Sequence, residues 1–563
     1  MISISGKNWE EIKANHRLVE KIKIDNNLNE IQSKLVLSRN YSKEEIYLIK
    51  DHIEINNPFQ KTKDFLLACE LLKNNIKKKS KILIVGDYDV DGCMSTILLV
   101  NFLKKIKSDV NYYIPDRFKD GYGASKKLIT SLAKKHNPDL IILLDCGSNS
   151  FEAIDYLKEK KIQTLIIDHH NTTEPYPQSD VFINPQKKND YNKYNYLCTS
   201  YLTYLFIDLF IKINKLNYPI KDQLILVLLA TVADVMPMRG INKILAKKVL
   251  NDFDVNKNIS LKHLLKFLNI KRKLELYDVA FKIAPLINAA GRLTNANQIV
   301  ELFTISSTER IKNILVNIFN LNEKRKFIEK KLLNDLDYKN FYNEEGIIFI
   351  YKPNLHEGII GIIASRIKEY FNKPCLVLTN SKNIIKGSAR STSNFNIGKY
   401  IEKSLKLGLV ISGGGHNLAA GVSLDKKKLN LFKNYINKNY DNKIYKSKDI
   451  FTSTILLDAI NMNFANSIET IGPFGNKNTR PIFLIQNIKF TKQTINNKNY
   501  VECFVKKGVK MIKSISFHHI KSKINYEILN SNNNFDVFVK IKINKWNNKS
   551  SIGLEIIDLI KKN

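Results

Sequence analysis

The sequence predicts an α/β protein with two α/β lobes joined by a long helix and followed by a C-terminal β-barrel. Between residues 81 and 167, three short apolar runs alternate with helical-looking stretches, as buried parallel strands do. From residue 306, apolar residues recur at helical spacing, and a second strand–helix region runs from about 345 to 439. From Phe535 to Ile543, apolar residues alternate with mostly polar ones, which is typical of a half-exposed barrel strand.

The order of these patterns divides the chain into five segments. A chain of 563 residues should form three or four structural units, because a domain averages about 150 residues. The predicted segments are an N-terminal helical lead-in at 1–60, a first α/β domain at 61–260, a helical connector at 261–340, a second α/β domain at 341–440 and a barrel at 441–563.

The composition, 44% hydrophobic and 25% charged, is that of an ordinary globular protein. The first residues lack the apolar segment of a signal peptide. The longest apolar run, Leu224–Ala233, is much shorter than the roughly 20 residues of a membrane span. Six cysteines lie far apart without a C-x-x-C pair, so neither a zinc knuckle nor a disulfide framework is expected. A cytoplasmic location is therefore the expectation.

The net charge of +35 can be interpreted in two ways. A basic surface attracts polyanions and gains affinity from counterion release, which supports a nucleic-acid partner. The chain is also rich in Lys, Asn and Ile throughout, and a compositional bias of the genome could produce the same excess. Charge alone leaves both explanations open.

Acidic and histidine residues follow each apolar run of the first domain. KILIV leads into GDYDVDG, LIILL leads into DCGS, TLII leads into DHH, and the apolar stretch LILVLLATVA is followed by a further acid. In an open parallel sheet, ligands bind beyond the carboxyl ends of the strands, so the first three groups should converge there. The residues are Asp87, Asp89, Asp91, Asp145, Asp168, His169, His170 and Asp234.

Several carboxylates at one point repel one another unless cations neutralise them. Mixed Asp and His ligands suit divalent metals such as Mn²⁺, and two ions about 3.5–4 Å apart form a clamp for a phosphoester. One ion would lower the pKa of a bound water, and both would stabilise charge on the phosphorus oxygens and the leaving oxygen. The pattern predicts a two-metal phosphoesterase.

Each motif alone also has a structural explanation. An acid after a strand can cap the next helix, and a His pair is often structural. We interpret His518 and His519 as such a structural pair, because no acid or loop precedes them in ISFHHI. The metal-site interpretation is favoured because every strand end in one domain carries an acid.

Together, GDYDVDG, LLDCGS, IIDHH and ATVADVMPM resemble the DHH phosphoesterase superfamily and, within it, the RecJ single-stranded-DNA exonucleases. The resemblance continues through IPDRFKDGYG, NAAGRL, HEGIIGIIASR, KGSARS, GGGHNLAAG and GPFGN, and only the first 60 residues are weak. It implies that the two lobes are DHH and DHHA1 domains and that the barrel is OB-like. Phe517, Phe538 and Trp546 are then candidate stacking platforms, although each is more typical of a core residue.

This resemblance also implies the ligands of two Mn²⁺ or Mg²⁺ ions, which would be Asp87, Asp89, Asp145, His169 and Asp234. His170 belongs to the same catalytic set, but a supporting role fits it, and Asp91, equally well. Asp168 would orient the histidines rather than bind metal.

The implied substrate-binding residues are Arg117, Tyr122, Arg292, Ser388, Arg390 and His416. Arg117, Ser388 and Arg390 would hold a terminal 5′ phosphate, since arginine makes bidentate phosphate contacts. Arg292 and His416 would lie near the scissile phosphate, and the tyrosine would stack on a base or simply pack.

The resemblance thus implies a single-stranded-DNA-specific 5′-to-3′ exonuclease of DNA repair and recombination, active as a monomer. A single-strand-binding protein and a helicase are further candidate partners. One alternative is a phosphodiesterase for short oligonucleotides or cyclic dinucleotides, whose relatives lack a terminal OB-like domain. Another is an inactive DHH scaffold that binds single strands, although the motifs here retain every acid and histidine. Ala389 stands where the family usually has glycine, and we expect it to tighten a loop beside the phosphate pocket.

Overall fold

The computed structural model describes residues 1–51, 53–121, 123–188, 191–335, 346–392, 395–440, 448–497, 500–520, 522–546 and 549–562, with the backbone only for Lys545 and Trp546. Its contacts form two units. The parallel-sheet unit comprises Ser42–Arg325 and Gly472–Thr479, and the barrel unit comprises Met1–Tyr41, Lys326–Ile471 and Arg480–Asn563. Within the described residues, no helix is long and apolar enough to span a membrane.

The strands are β1 Asn8–Glu11, β2 Ile82–Gly86, β3 Val110–Tyr113, β4 Leu140–Leu144, β5 Gln163–Ile167, β6 Val181–Ile183, β7 Ile348–Tyr351, β8 Cys375–Ser381, β9 Ile384–Arg390, β10 Ser412–His416, β11 Ala419–Leu424, β12 Lys448–Phe451, β13 Ser453–Thr454, β14 Phe483–Ile495, β15 Val501–Lys507, β16 Lys510–Ser516, β17 Phe535–Trp546 and β18 Lys549–Lys561.

The α-helices of the parallel-sheet unit are Lys43–Tyr47, Lys63–Lys77, Val90–Lys105, Lys126–His136, Phe151–Glu159, Thr199–Asn214, Leu224–Ala233, Gly240–Asp252, Ile259–Phe267, Leu276–Asp278, Ala284–Leu293 and Asn297–Thr304. The barrel unit contains His16–Asn26, Glu30–Ser38, Ile360–Phe371, Ile397–Lys406, Leu429–Lys438, Met462–Glu469 and Lys523–Asn530. The long helix Thr308–Asn334 contains the boundary between the units.

A five-stranded parallel sheet in the order β3-β2-β4-β5-β6 forms the centre of the parallel-sheet unit. Every residue of β2 and β4 is buried, as their continuous apolar runs predicted. Alternate side chains of β2 pack into two different hydrophobic clusters. Ile82 and Ile84 pack into one, and Leu83 and Val85 pack into the other. Helices therefore cover both faces, and the ends of the strands are left for a site.

The barrel unit contains a second, mixed sheet in the order β10-β11-β9-β8-β7. Only β7 and β8 run parallel in it, and the other neighbours are antiparallel. Along β9 the burial alternates, so that Ala389 points into the core while Ser388 and Arg390 lie on the opposite face. The two α/β regions and the connecting helix agree with the predicted fold class.

The C-terminal strands form a closed five-stranded barrel, in the order β14-β15-β16-β18-β17 with a further pairing of β17 to β14. Phe538 lies in its core and stacks on Trp9 with ring centroids 4.4 Å apart, whereas Phe517 is 47% exposed. The side chain of Trp546 falls outside the described residues. His518 donates a hydrogen bond to the carbonyl oxygen of Ile557 at 2.9 Å, which is a structural contact.

Residues 1–60 do not form one segment in the structure, because the division between the two units falls after Tyr41. Strand β1 pairs in parallel with β12, which precedes the barrel. The buried carboxylate of Asp558 in β18 accepts hydrogen bonds from the hydroxyls of Ser3 and Ser5 and from the indole of Trp9 at 3.0 Å. The N-terminal strand is therefore part of the barrel unit.

Candidate metal centre

Three acids lie at the carboxyl ends of β2, β4 and β5, which are neighbours in the sheet. Asp87 follows β2, Asp145 follows β4 and Asp168 follows β5. Adjacent strands lie about 4.8 Å apart, so the topology brings these residues to one edge. A fourth acid, Asp234, ends the apolar helix Leu224–Ala233.

The backbone at these strand ends is shaped for close approach. Asp89 caps the helix Val90–Lys105 by accepting a hydrogen bond from the backbone N–H of Gly92 at 3.1 Å. A Cβ atom on Gly92 would lie 2.4 Å from the carbonyl oxygen of Asp87, so only glycine fits this turn. Asp145 has a φ of +62°, a left-handed conformation that aspartate and asparagine tolerate better than most residues.

His169 lies at the centre of the cluster. Its Nε2 is 3.3 Å from Oδ1 of Asp145, 3.4 Å from Oδ2 of Asp234 and 3.7 Å from Oδ2 of Asp91. Among the residues that the structure describes, side-chain ligand atoms within 4.8 Å of one another occur in three sets, namely Asp145 with His169 and His170, Asp91 with His169 and Asp234, and Asp87 with Asp89 and Asp145.

Three carboxylates of this cluster resist ionisation. Burial is the largest cause that raises the pKa of Asp87, Asp145 and Asp234 well above the usual value. Neighbouring carboxylates add to it: the charge of Asp89 acts on Asp87 and Asp234, and that of Asp91 acts on Asp145. The arrangement therefore favours the binding of positive charge.

The two histidines have opposite charge preferences. Burial lowers the pKa of His169, which favours the neutral imidazole that binds metals. Burial also disfavours the charged form of His170. Asp168, whose Oδ1 lies 2.8 Å from Nδ1 of His170, outweighs that effect and raises the pKa of His170 to about 9. Asp168 accepts further hydrogen bonds from the backbone N–H groups of Ser148, at 3.1 Å, and His169, at 2.8 Å.

The first turn of the helix Thr199–Asn214 donates hydrogen bonds to two acids of the cluster. Asp91 accepts hydrogen bonds from the backbone N–H of Thr199 at 2.7 Å and of Ser200 at 2.8 Å. The hydroxyl of Thr199 also donates to Oδ1 of Asp145 at 3.0 Å. Sequence reasoning missed this threonine, although a Thr-Ser pair before an apolar run is a helix-start signal that could have drawn attention to it.

The donor set fits divalent cations. Oδ1 of Asp87 is buried and, among the described residues, has no hydrogen-bond partner. An unsatisfied buried carboxylate oxygen is costly, and a cation would satisfy it. Oxygen and imidazole donors without a cysteine thiolate suit Mn²⁺ or Mg²⁺ rather than a soft metal.

Two of the predicted substrate residues lie in the same unit as this cluster. The guanidinium of Arg117 lies over the ring of Tyr88, and its charge acts on Asp87. The charge of Arg292 acts on the same Tyr88 ring, so that both arginines are close to the turn that carries Asp87 and Asp89. Tyr122, predicted to stack on a base, lies outside the described residues.

The other three predicted substrate residues lie in the mixed sheet of the barrel unit. Arg390 donates a hydrogen bond of 2.9 Å to the hydroxyl of Ser388. Arg390 pairs with Ala419, and Ala419 pairs with His416, so Arg390 and the exposed His416 lie about 10 Å apart across three strands. Ala389 does not lie in a loop, because it belongs to β9 and is buried, so the expectation that it tightens a loop was wrong.

Three family models match the chain in the order of its domains. The DHH family N-terminal domain matches residues 81–231, the DHHA1 domain matches 344–441 and the RecJ OB domain matches 453–558. The first model covers the acids that follow β2, β4 and β5 and ends shortly before Asp234.

Named relatives share most of this chain. A single-stranded-DNA-specific exonuclease RecJ from Haemophilus influenzae is 29% identical over 526 residues, which cover 88% of this chain and 90% of that protein. The protein of that name from Dickeya dadantii is 30% identical over 389 residues, 65% of this chain and 67% of its own length. The crystal structure of RecJ from Thermus thermophilus in complex with Mn²⁺ has the same fold, with a TM-score of 0.84 at 20% identity over 99% of this chain and 80% of that one. That protein was also solved with Mg²⁺. Because a relative at 30% identity is matched over two thirds of its length, and the three domain models follow in order, this chain belongs to the RecJ family.

Proposed function

We propose that this protein is a single-stranded-DNA-specific exonuclease that hydrolyses phosphodiester bonds with divalent metal ions. The observation that carries the proposal is the set of acids and histidines at the ends of β2, β4 and β5, with ligand atoms within 4.8 Å of one another. The names of its relatives supply the substrate class. We further propose that digestion runs from the 5′ end towards the 3′ end, in DNA repair and recombination.

Two Mn²⁺ or Mg²⁺ ions would be held by the predicted ligands Asp87, Asp89, Asp145, His169 and Asp234. Bound there, the metals would supply an activated water and positive charge for the phosphorus and leaving oxygens. Asp145 occurs in two of the three ligand sets found among the described residues, which supports its role as a metal ligand.

The remaining residues of the cluster hold these ligands in place. Asp91 holds the start of the helix Thr199–Asn214 at the site by accepting hydrogen bonds from two of its backbone N–H groups. Asp168 fixes the orientation of the His170 ring through the contact to Nδ1. His170, with its raised pKa, is then suited to hold a proton beside the reacting phosphate.

The direction of digestion would come from contacts with the terminal 5′ phosphate, a role that we propose for Arg117, Ser388 and Arg390. The hydrogen bond from Arg390 to Ser388 supports this role, because it joins two side chains on the face of β9 opposite the buried Ala389. Arg292 and His416 would contact the scissile phosphate, and Tyr122 would stack on a base.

We also propose a division of labour along the chain: catalysis by residues 61–260, substrate binding by 341–440, nucleic-acid binding by 441–563, and connection by 261–340. The protein would act in the cytoplasm as a monomer. A single-strand-binding protein and a helicase would be its partners on DNA.

The test is digestion of a long single-stranded DNA labelled separately at its 5′ and 3′ ends, with Mn²⁺, Mg²⁺ or EDTA. Short 5′-labelled products should appear at once with either metal, and an Asp145→Asn variant should release none. Early release of the 3′ label would contradict the direction. Absence of digestion with every metal, together with cleavage of a dinucleotide, would instead identify a small-substrate phosphodiesterase.

A further inference from the structure

We propose that Tyr88 is a positioning residue that holds the guanidinium of Arg117 beside the metal centre, and thereby sets the preference for a 5′-phosphorylated end. The inference rests on the proposed function. It concerns a residue that stands between two predicted metal ligands, Asp87 and Asp89, but that is not a ligand itself.

The first observation is the stacking of a cation on an aromatic ring. Cζ of Arg117 lies 5.3 Å from the centroid of the Tyr88 ring, within the range in which the face of an aromatic ring attracts a cation. A guanidinium is planar and weakly hydrated, so it can rest on a ring while the N–H groups at its edge point towards a phosphate. Arg117 itself lies in a turn beyond β3, outside the helices and strands.

The second observation is the contact of the Tyr88 backbone with the helix Ala284–Leu293. A Cβ atom on Gly291 would lie 2.3 Å from the carbonyl oxygen of Tyr88, so glycine permits this close approach. The next residue, Arg292, is near enough for its charge to act on the Tyr88 phenol. Tyr88 thus lies close to both arginines of this unit that are predicted to bind substrate, Arg117 and Arg292.

The third observation is that the ring is held firmly. Tyr88 is partly buried and packs against the hydrophobic core of the parallel-sheet unit. Because the same backbone turn carries Asp87 and Asp89, the ring relates the position of Arg117 directly to the metal ligands. A strand end bound by Arg117 would therefore be placed at a fixed distance from the reacting phosphate.

The experiment compares Tyr88→Leu, which removes the ring, with Tyr88→Phe, which keeps it. The measured quantity is the ratio of kcat/KM for a 5′-phosphorylated strand to that for the same strand with a 5′ hydroxyl. Loss of a cation–ring contact corresponds to about a tenfold change, so Tyr88→Leu should reduce the ratio about tenfold, mainly through KM. Tyr88→Phe should retain the ratio of the wild type within about twofold.

Two controls separate positioning from a general structural role. Mn²⁺ binding, measured by calorimetry, should be the same in Tyr88→Leu as in the wild type. In an Arg117→Ala background, Tyr88→Leu should cause no further loss of the ratio, because the two side chains act as one unit. A loss of Mn²⁺ binding, or equal losses of the ratio in Tyr88→Phe and Tyr88→Leu, would overturn the proposal.

The wild type separates this inference from the function on which it rests. A wild type that digests no single-stranded DNA would contradict the proposed function and this inference together. A wild type that prefers phosphorylated ends, with Tyr88→Leu showing the same preference, would refute the role of Tyr88 alone.

Discussion

The hydroxyl of Thr199 donates a hydrogen bond of 3.0 Å to Oδ1 of Asp145, the oxygen that also lies 3.3 Å from Nε2 of His169. A helix start thus holds the carboxylate that takes part in two of the three candidate ligand sets. This side chain should orient the ligand without binding metal itself. Such supporting contacts to metal ligands matter in many metalloenzymes.

Replacing Thr199 by valine should therefore weaken Mn²⁺ binding and nuclease activity roughly 10- to 100-fold, the range typical of supporting partners. Thr199→Ser keeps the hydroxyl and should stay near the wild type. Calorimetric titration with Mn²⁺ and initial rates on single-stranded DNA measure the two effects. Equal losses in the valine and serine variants would show that the hydroxyl is not what matters.

Replacing Asp145 by asparagine should abolish digestion, with a loss greater than the roughly 100-fold limit of supporting contacts. Asparagine is the matched substitution because residue 145 has a φ of +62°, which asparagine tolerates and alanine does not. The far-ultraviolet circular dichroism should match that of the wild type. Substantial residual activity in a folded Asp145→Asn protein would remove Asp145 from the metal site.

Mn²⁺ should stabilise the protein against unfolding, because burial and neighbouring carboxylates disfavour the charged forms of Asp87, Asp145 and Asp234, and a bound cation would offset both effects. At a free metal concentration of 100 times Kd, the gain is about 2.7 kcal/mol. Thermal unfolding with Mn²⁺ and with EDTA measures it. The gain should disappear in Asp145→Asn, and an equal gain in that variant would place the bound metal elsewhere.

The buried Glu45 gives a prediction for acid stability. Its carboxylate accepts hydrogen bonds from Arg239 at 2.7 Å and from the backbone N–H of Gly240 at 3.1 Å. Burial alone would raise its pKa, but these hydrogen bonds outweigh burial and lower the pKa below the usual 4.5. A lowered pKa means that the contribution of Glu45 to stability is present above about pH 4.5 and is lost as the pH falls through the folded-state value.

Glu45→Gln should thus lower the free energy of unfolding at pH 7 by about 1.5–3 kcal/mol, the range for hydrogen bonds to charged groups. Urea denaturation of both proteins at pH 7 and below pH 4.5 measures the difference. The difference in the free energy of unfolding between the two proteins should be smaller at the lower pH, because the wild-type carboxyl then begins to take up a proton. If this difference did not change with pH, the charge of Glu45 would contribute nothing to the stability of the fold.

Neighbouring glycines in the GGGH motif should respond differently to alanine. A Cβ atom on Gly415 would lie 2.3 Å from the carbonyl oxygen of Ala419 in β11, whereas a Cβ atom on Gly414 would meet nothing within 4 Å. Gly415→Ala should therefore destabilise the mixed sheet and lower the thermal midpoint, and Gly414→Ala should not. Equal midpoints for the two variants would contradict the close approach of β10 and β11.

Local patterns predicted three of the five strands of the parallel sheet. Continuous apolar runs identified β2, β4 and β5, and the acids after them predicted the cluster of carboxylates and histidines, since parallel strands end at one edge. The contact of Thr199 with Asp145 was not predicted, because it joins residues 54 apart in sequence and no periodicity encodes such a pair. The helical pattern was read from residue 306, whereas the connecting helix begins at Thr308 and Ser307 accepts the hydrogen bond from the N–H of Arg310.

The mixed sheet shows a second kind of limit. The resemblance assigned Ser388 and Arg390 to one site, and strand alternation does put both on the same face. Because of the same alternation, the side chain of Ala389 points into the core. The strand, and not the motif, accounts for this orientation. Family motifs supplied the candidate functional residues here, whereas their surroundings depended on strand pairing between distant segments.

The tie between the N-terminal strand and Asp558 has a consequence for biosynthesis. Ser3 and Asp558 are 555 residues apart, and translation at about 5–20 residues per second separates their synthesis by roughly half a minute to two minutes. During that time the indole of Trp9, which is only 2% exposed in the folded protein, lacks its carboxylate partner, and β1 lacks its partner strand β12 until Phe451 has been made. The five strands of the parallel sheet are complete long before, by Ile183. The nascent chain should therefore form its parallel sheet first. The contacts of Ser3 and Trp9 with Asp558 should form last, after β18 has left the ribosome.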